Sequence, residues 1–204
     1  PSLEQTSTAV LYDVTADPLI VLTLQGPDDK AVVDYLSQHR GELVHVLEQA
    51  ERDRAVKANE TYNNPGVEAA IRKTFGVEMR IPKGYLLAAQ KENFIWATDI
   101  TWYDVPPGPS DGSYMITSDA FEPDYRMFRL EGRLWCELRG FWDVQGDFMG
   151  GPFVSYSTVD TATNRVFTLD CYVYAPDLNK PRKRNYMRGV EHLLYSVQFP
   201  KQAE

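Results

Sequence analysis

The apolar pattern of this chain changes period at residue 76, and nothing else in the sequence constrains the fold as strongly. Before that point apolar residues recur three and four apart: Val32, Val33 and Leu36; Leu43, Val46, Leu47, Ala50 and Val56; Val67, Ala70, Ile71 and Phe75. Such spacing collects side chains on one face of a helix. After it, Val77, Met79 and Ile81 alternate with Glu78 and Arg80, and further strand-like runs follow. Helices separated from strands along the chain predict an α+β fold, with a mostly antiparallel sheet covered by helices. The expected division is residues 1–76, an N-terminal strand-plus-helices section, and residues 77–204, an antiparallel α+β domain.

Local signals place the elements. Residues 18–24 read as a buried strand ending at Gly26-Pro27, and Asp28 or Asp29 can cap the helix that follows. A second helix should start near Gly41 and run to the turn at Asn63, with Glu48, Glu51, Arg52 and Lys57 on its solvated face. Asn64 is a good N-cap, Pro65 suits a first helical turn, and Gly76 suits a C-terminal cap. Pro82-Lys-Gly-Tyr85 reads as a turn, residues 94–98 as a strand, residues 105–112 as a loop, and residues 114–117 as a return to β structure. Strands at 126–131 and 133–142 flank a tight turn at Gly132, and strands at 153–159 and 165–174 flank a hairpin loop. A last helix from about Asn185 to Val197 turns Met187, Val190, Leu193, Leu194 and Val197 inward.

Composition narrows the function classes. A chain of 204 residues, 43% apolar, can bury a core without metals or disulfides. Its longest apolar runs, residues 19–22 and 85–89, cannot span a bilayer. A formal charge of −8 disfavours general nucleic-acid binding. Cys136 and Cys171 should lie two strands apart, roughly 9–10 Å, beyond the reach of about 7 Å that a disulfide needs, so free thiols are expected. The start, Pro1-Ser-Leu-Glu-Gln-Thr, has neither an initiator Met nor the character of a signal peptide, and reads as a processed or truncated product.

Catalytic patterns are sparse. His39, His45 and His192 lack the partners of a zinc site, so no metal and no cofactor are expected. There is no GxSxG elbow, P-loop or GxGxxG. Glu131 with Glu137, or Asp143 with Asp147, can be drawn as acid–base pairs, but carboxylates of hairpin turns are expected to be solvated and unperturbed. Two segments stand out. Residues 141–153 join aromatic residues to Gly150-Gly151, which permits positive φ or close backbone approach. There Phe148 and Met149 could form an exposed binding patch, or the aromatics could fold back onto the core. Residues 180–188 hold five basic side chains, among them Arg182, Lys183, Arg184 and Arg188, at the start of a helix. They suit either an anionic ligand or a solvated surface.

Several runs together resemble one family. They are Tyr62-Asn-Asn-Pro65, Phe75-Gly-Val-Glu-Met79, Ile81-Pro-Lys-Gly-Tyr85, Pro109-Ser-Asp-Gly-Ser-Tyr-Met115, Leu138-Arg-Gly-Phe-Trp142, Asp147-Phe-Met-Gly-Gly-Pro-Phe-Val-Ser-Tyr156, Tyr172-Val-Tyr-Ala-Pro176 and Lys183-Arg-Asn185. In order, they resemble domain of unknown function 4837, a family from Bacteroidota. The resemblance implies a lipoprotein of the cell envelope, periplasmic or surface, and implies no activity. Family members carry a further N-terminal section with the lipidated cysteine, and a longer stretch where this chain passes from Asp104 to Val105. The expectation is that a loop is missing between those residues. With a helix restored there, the C-terminal part would be similar to the PsbP-like sandwich, an analogy of fold alone. The leading expectation is therefore a non-enzymatic module binding an envelope protein or glycan. The competitors are a binder or enzyme acting on an anionic envelope ligand through residues 180–188, and a structural module of a larger assembly.

Overall fold

The computed structural model describes residues 4–15, 19–99, 115–117, 120–146, 149–161, 163–175 and 183–200. The chain forms two compact units, Pro1–Ala58 and Asn59–Glu204.

In the first unit β1 (Ser7–Tyr12) pairs antiparallel with β2 (Ile20–Gln25), Tyr12 opposite Ile20. Asp13, at φ +54, helps close their connection: its N–H donates to Leu19 O at 2.8 Å, and its carboxylate accepts from Leu19 N at 2.9 Å. The strand expected at 18–24 is thus present but only half-buried, because a two-stranded ribbon cannot enclose it. Asp28 caps α1 (Asp29–Thr61), its carboxylate accepting from Ala31 N at 2.8 Å. α1 is one helix of 33 residues, not the two expected. Gly41 lies inside it with no crowding neighbour, and a glycine within a helix costs only about 1 kcal/mol, too little to break a run of good helix formers. The hydroxyls of Thr8 and Tyr35, 2.7 Å apart, tie the ribbon to the helix.

In the second unit α2 (Pro65–Phe75) begins and ends as the sequence predicts. Asn64 Oδ1 accepts from Gly66 N and Val67 N, and Gly76 closes the helix at φ +73 with its N–H on Arg72 O. Residues 77–82 are extended, and Val77, Met79 and Ile81 are buried. They form no ladder, however, only isolated bridges from Glu78 to Gln198 and from Pro82 to Asn63. β3 (Tyr85–Lys91) and β4 (Phe94–Asp99) form a hairpin. The sequence predicts only its second strand.

The main sheet is antiparallel throughout: β5 (Met115–Thr117), β6 (Asp124–Leu130), β7 (Arg133–Val144), β8 (Gly150–Asp160) and β9 (Arg165–Tyr172). β8 lies along one edge of β7; β6 and then β5 share the other. Glu131 (φ +49) and Gly132 (φ +77) make the two-residue turn between β6 and β7. α3 (Lys183–Leu194) packs on β8 and β9, burying Leu193 and Leu194, with Val197 beyond its end. α2, residues 77–81 and α3 enclose one apolar cluster; Trp135, Val154, Tyr156, Cys171 and Leu194 form a second. The fold is α+β. Cys136 on β7 and Cys171 on β9 are separated by β8, and both are free.

Candidate functional site

The register of β7 decides which side chains meet on each face of the sheet. Residues directly opposite in an antiparallel pair share a face. Trp135 therefore lies with Phe128 and Thr158, Glu137 with Arg126 and Tyr156, and Arg139 with Asp124 and Val154. This inner face meets α3. Leu134, Cys136 and Leu138 take the other side, with Tyr125, Met127, Ser155 and Ser157 opposite. The usual arrangement, apolar inside and polar outside, is broken along this stretch: Glu137, 2% exposed, lies inside beside Trp135 and Tyr156, while Leu134 and Leu138 face outward.

On the inner face Glu137 sits in a two-arginine clamp. Arg126 donates from Nε and Nη2 at 2.8 and 3.0 Å, and Arg139 from Nε and Nη2 at 2.6 and 2.9 Å. The third arm of Arg139, Nη1, donates to Glu191 of α3 and so fastens helix to sheet. Burial pushes the Glu137 carboxyl up, but the hydrogen bonds from Arg139 and Arg126 outweigh it and hold the group below the ordinary carboxylate range. The hydrogen bond to Glu137 holds Arg139 above its ordinary value, against burial. Burial likewise raises the Tyr156 hydroxyl. A carboxylate receiving four N–H donors has no lone pair left for a substrate proton or a cation. Glu137 is thus neither solvated nor unperturbed, as the sequence reading expected. Nor does its saturated clamp suit acid–base work with Glu131. Glu68 is saturated in the same manner by Asn63 Nδ2, Arg80 Nη1 and the Ile81 N–H.

The outer face is different. Tyr125, Met127, Leu134, Leu138, Val159 and Val166 are 37–71% exposed on it. Met127, Leu134, Val159 and Val166 line an open groove of about 640 Å³, floored in part by Cys136 and Ser157. A smaller cavity of about 120 Å³ lies beside Trp135, Arg133 and Phe199, where the Arg133 guanidinium covers the Phe199 ring at 3.8 Å. That volume is well below the ~300 Å³ typical of a small-molecule pocket. No cluster of three or more metal-ligating side chains occurs among the described residues, and no helix there is long and apolar enough to cross a membrane.

The segments singled out from the sequence fall as follows. Phe148 lies outside the described residues, as do residues 104 and 105. Met149 is half-buried against Trp142, Val144 and Phe153. Gly150 and Gly151 serve close approach, not positive φ: a Cβ on Gly151 would stand 2.0 Å from Val173 O, and one on Gly150 2.6 Å from an Asp143 carboxylate oxygen. Arg182 is outside the described residues, Lys183 opens α3, Arg184 is exposed, and Arg188 is half-buried and engaged by a neighbour. His39 stacks on Tyr35 at 4.2 Å and binds Glu42, and His45 is exposed. Sequence reasoning missed the outer face and the inner clamp together. The available signal was the alternation of Tyr125 with Met127 and of Leu134 with Leu138 across one turn.

The family model described as Domain of unknown function (DUF4837) matches residues 99–196. That span takes in β5–β9 and α3, hence the clamp and the outer face alike, and the match supports the resemblance drawn from the motifs. No curated protein and no solved structure matches the chain.

Proposed function

We propose that this chain is a non-enzymatic binding module of the cell envelope, a lipoprotein in its native setting, which docks a protein partner on the outer face of β6–β9. The observation that carries the reading is the exposure of six large apolar side chains on one sheet face, while charge is folded inside. Contiguous apolar surface of this kind marks interaction sites. Its aliphatic and Met side chains suit a protein surface better than a sugar, whose hydroxyls need polar partners. The inner clamp supports the same reading, since its carboxylate is fully committed to arginine. The envelope setting rests on the resemblance.

A photo-crosslinking side chain placed at Met127 or at Leu134, in cells carrying the protein, tests this. Both positions should capture the same discrete protein, and Val166→Asp on the same face should remove the band. The same crosslinker at Glu92, in the turn between β3 and β4, should capture nothing. Equal capture at Glu92, or none at either face position, would refute the reading.

A further inference from the structure

We infer that two copies of this chain pair antiparallel through α1. The first unit has no buried residue among those described, although it carries a helix about 50 Å long. One side of that helix, with Val32, Tyr35, His39 and Val46 half-buried, is marked as the ribbon side by the Thr8–Tyr35 bond. A second stripe stands partly exposed: Val33 is 58% exposed, and Leu36, Val44 and Leu47 are each 43% exposed, while Leu43 and Ala50 beside it are half-buried. Units with so little core commonly gain their second layer by association.

The residues say what the second layer is. Val33, Leu36, Arg40, Leu43, Leu47, Ala50 and Arg54 follow the alternating three-four spacing of a coiled-coil seam. A parallel, in-register pair would set Arg40 on Arg40 and Arg54 on Arg54, with like charges meeting in the seam. Antiparallel pairing removes that conflict. With Leu43 opposite Leu47 of the second copy, Val44 meets Val44, and Arg40 lies against Ala50 and beside Glu51. The aliphatic stem of Arg54 covers Leu36. Two-fold symmetry makes each of these contacts twice, except Val44 with Val44, which lies on the axis. The stripe is thus apolar at its centre, with opposite charges at matching distances on either side. That self-complementarity picks a second copy over an unrelated helix. None of the residues used lies on the outer sheet face.

Sedimentation velocity of the chain over micromolar concentrations reads the outcome. A dimer is expected for the wild type, and a monomer for Leu47→Glu with an unchanged far-UV spectrum. Arg40→Glu should raise the dissociation constant about tenfold or more, and adding Glu51→Arg to it should restore pairing. The Arg40 substitutions lie on an exposed position, so they report even where Leu47→Glu disturbs folding. A wild-type monomer throughout, a dimer indifferent to Arg40→Glu or to a folded Leu47→Glu, or a double swap that fails to restore pairing would overturn the inference.

Discussion

Replacing Glu137 by Gln measures what the inner clamp contributes. The side chain keeps its shape but loses its charge and two of its acceptor sites. Breaking a fully buried ion pair costs about 3–5 kcal/mol. Here solvent reaches one partner, for the Arg126 side chain is 57% exposed and exposed pairs are worth about 0–1 kcal/mol. Arg139 is 35% exposed and keeps Glu191, so it carries most of the loss. The expected cost is about 2–3 kcal/mol, which at about 2–4 °C per kcal/mol lowers the melting midpoint by about 4–12 °C. Arg126→Gln should cost under about 1 kcal/mol. The sign of the pH dependence follows from the depressed carboxyl. Its stabilisation is complete above the unfolded value of about 4.3 and is lost as pH falls through the lower folded value. The wild-type advantage over Glu137→Gln should therefore shrink below about pH 4. Urea denaturation at pH 7 and at intervals down to pH 3 reads both quantities. A cost under about 1 kcal/mol at pH 7, an Arg126→Gln cost equal to that of Glu137→Gln, or a gap constant to pH 3 would refute the reasoning.

Two glycines should respond in opposite directions. Gly151→Ala drives a Cβ to within 2.0 Å of Val173 O, where only backbone can yield, and should destabilise by about 2–3 kcal/mol. Gly41→Ala, in open space inside α1, should stabilise by up to about 1 kcal/mol. Denaturation midpoints in the reverse order would contradict the packing described. The thiols should also separate. Burial, followed by the nearby charges of Asp170 and Glu191, pushes Cys171 up to about 12, whereas Cys136 is half-buried on the open face. A disulfide reagent at mildly alkaline pH should titrate one thiol per folded chain quickly, and two fast thiols would count against this burial.

The elements with a local signature were legible. Asn64-Pro65 and Gly76 bound α2 because capping depends on neighbours in the chain. Glu131-Gly132 and residues 160–164 mark hairpins for the same reason. β1 and β3 were not legible, since each belongs to a two-stranded ribbon that leaves most of its side chains exposed and so does not enforce a clean alternation. The break expected at Gly41 overweighted one residue against the helical run around it. The clamp was hidden for a deeper reason. Alternation in Leu134-Trp-Cys-Glu-Leu138 fixes which side chains share a face, but not which face is inside. The inward side was set by Trp135 and by Arg126, a cross-strand partner eleven residues upstream of Glu137. A carboxylate in the interior becomes tolerable only once those arginines arrive.

That arrangement yields a test separating stability from binding on a single strand. Leu134 and Leu138 are 48% and 37% exposed, so each retains roughly half of the burial that a core leucine has. Full burial of such a side chain is worth about 1.5–3 kcal/mol, so half of it at two positions is about 1.5–3 kcal/mol, of which Thr, keeping a methyl group, forfeits only part. Thr also suits a strand and recovers part of that loss. If these leucines are surface held ready for a partner, Leu134→Thr with Leu138→Thr should lower stability less than Glu137→Gln does, yet abolish crosslinking from Met127. If they are core, stability should collapse first, and by more than the clamp substitution. If crosslinking survives in a folded double variant, the partner sits elsewhere. On the proposed reading the two strand faces make different demands, the charge within β7 serving the fold and the leucines outside serving the partner, so the leucine substitutions should cost less stability than Glu137→Gln and all of the crosslinking.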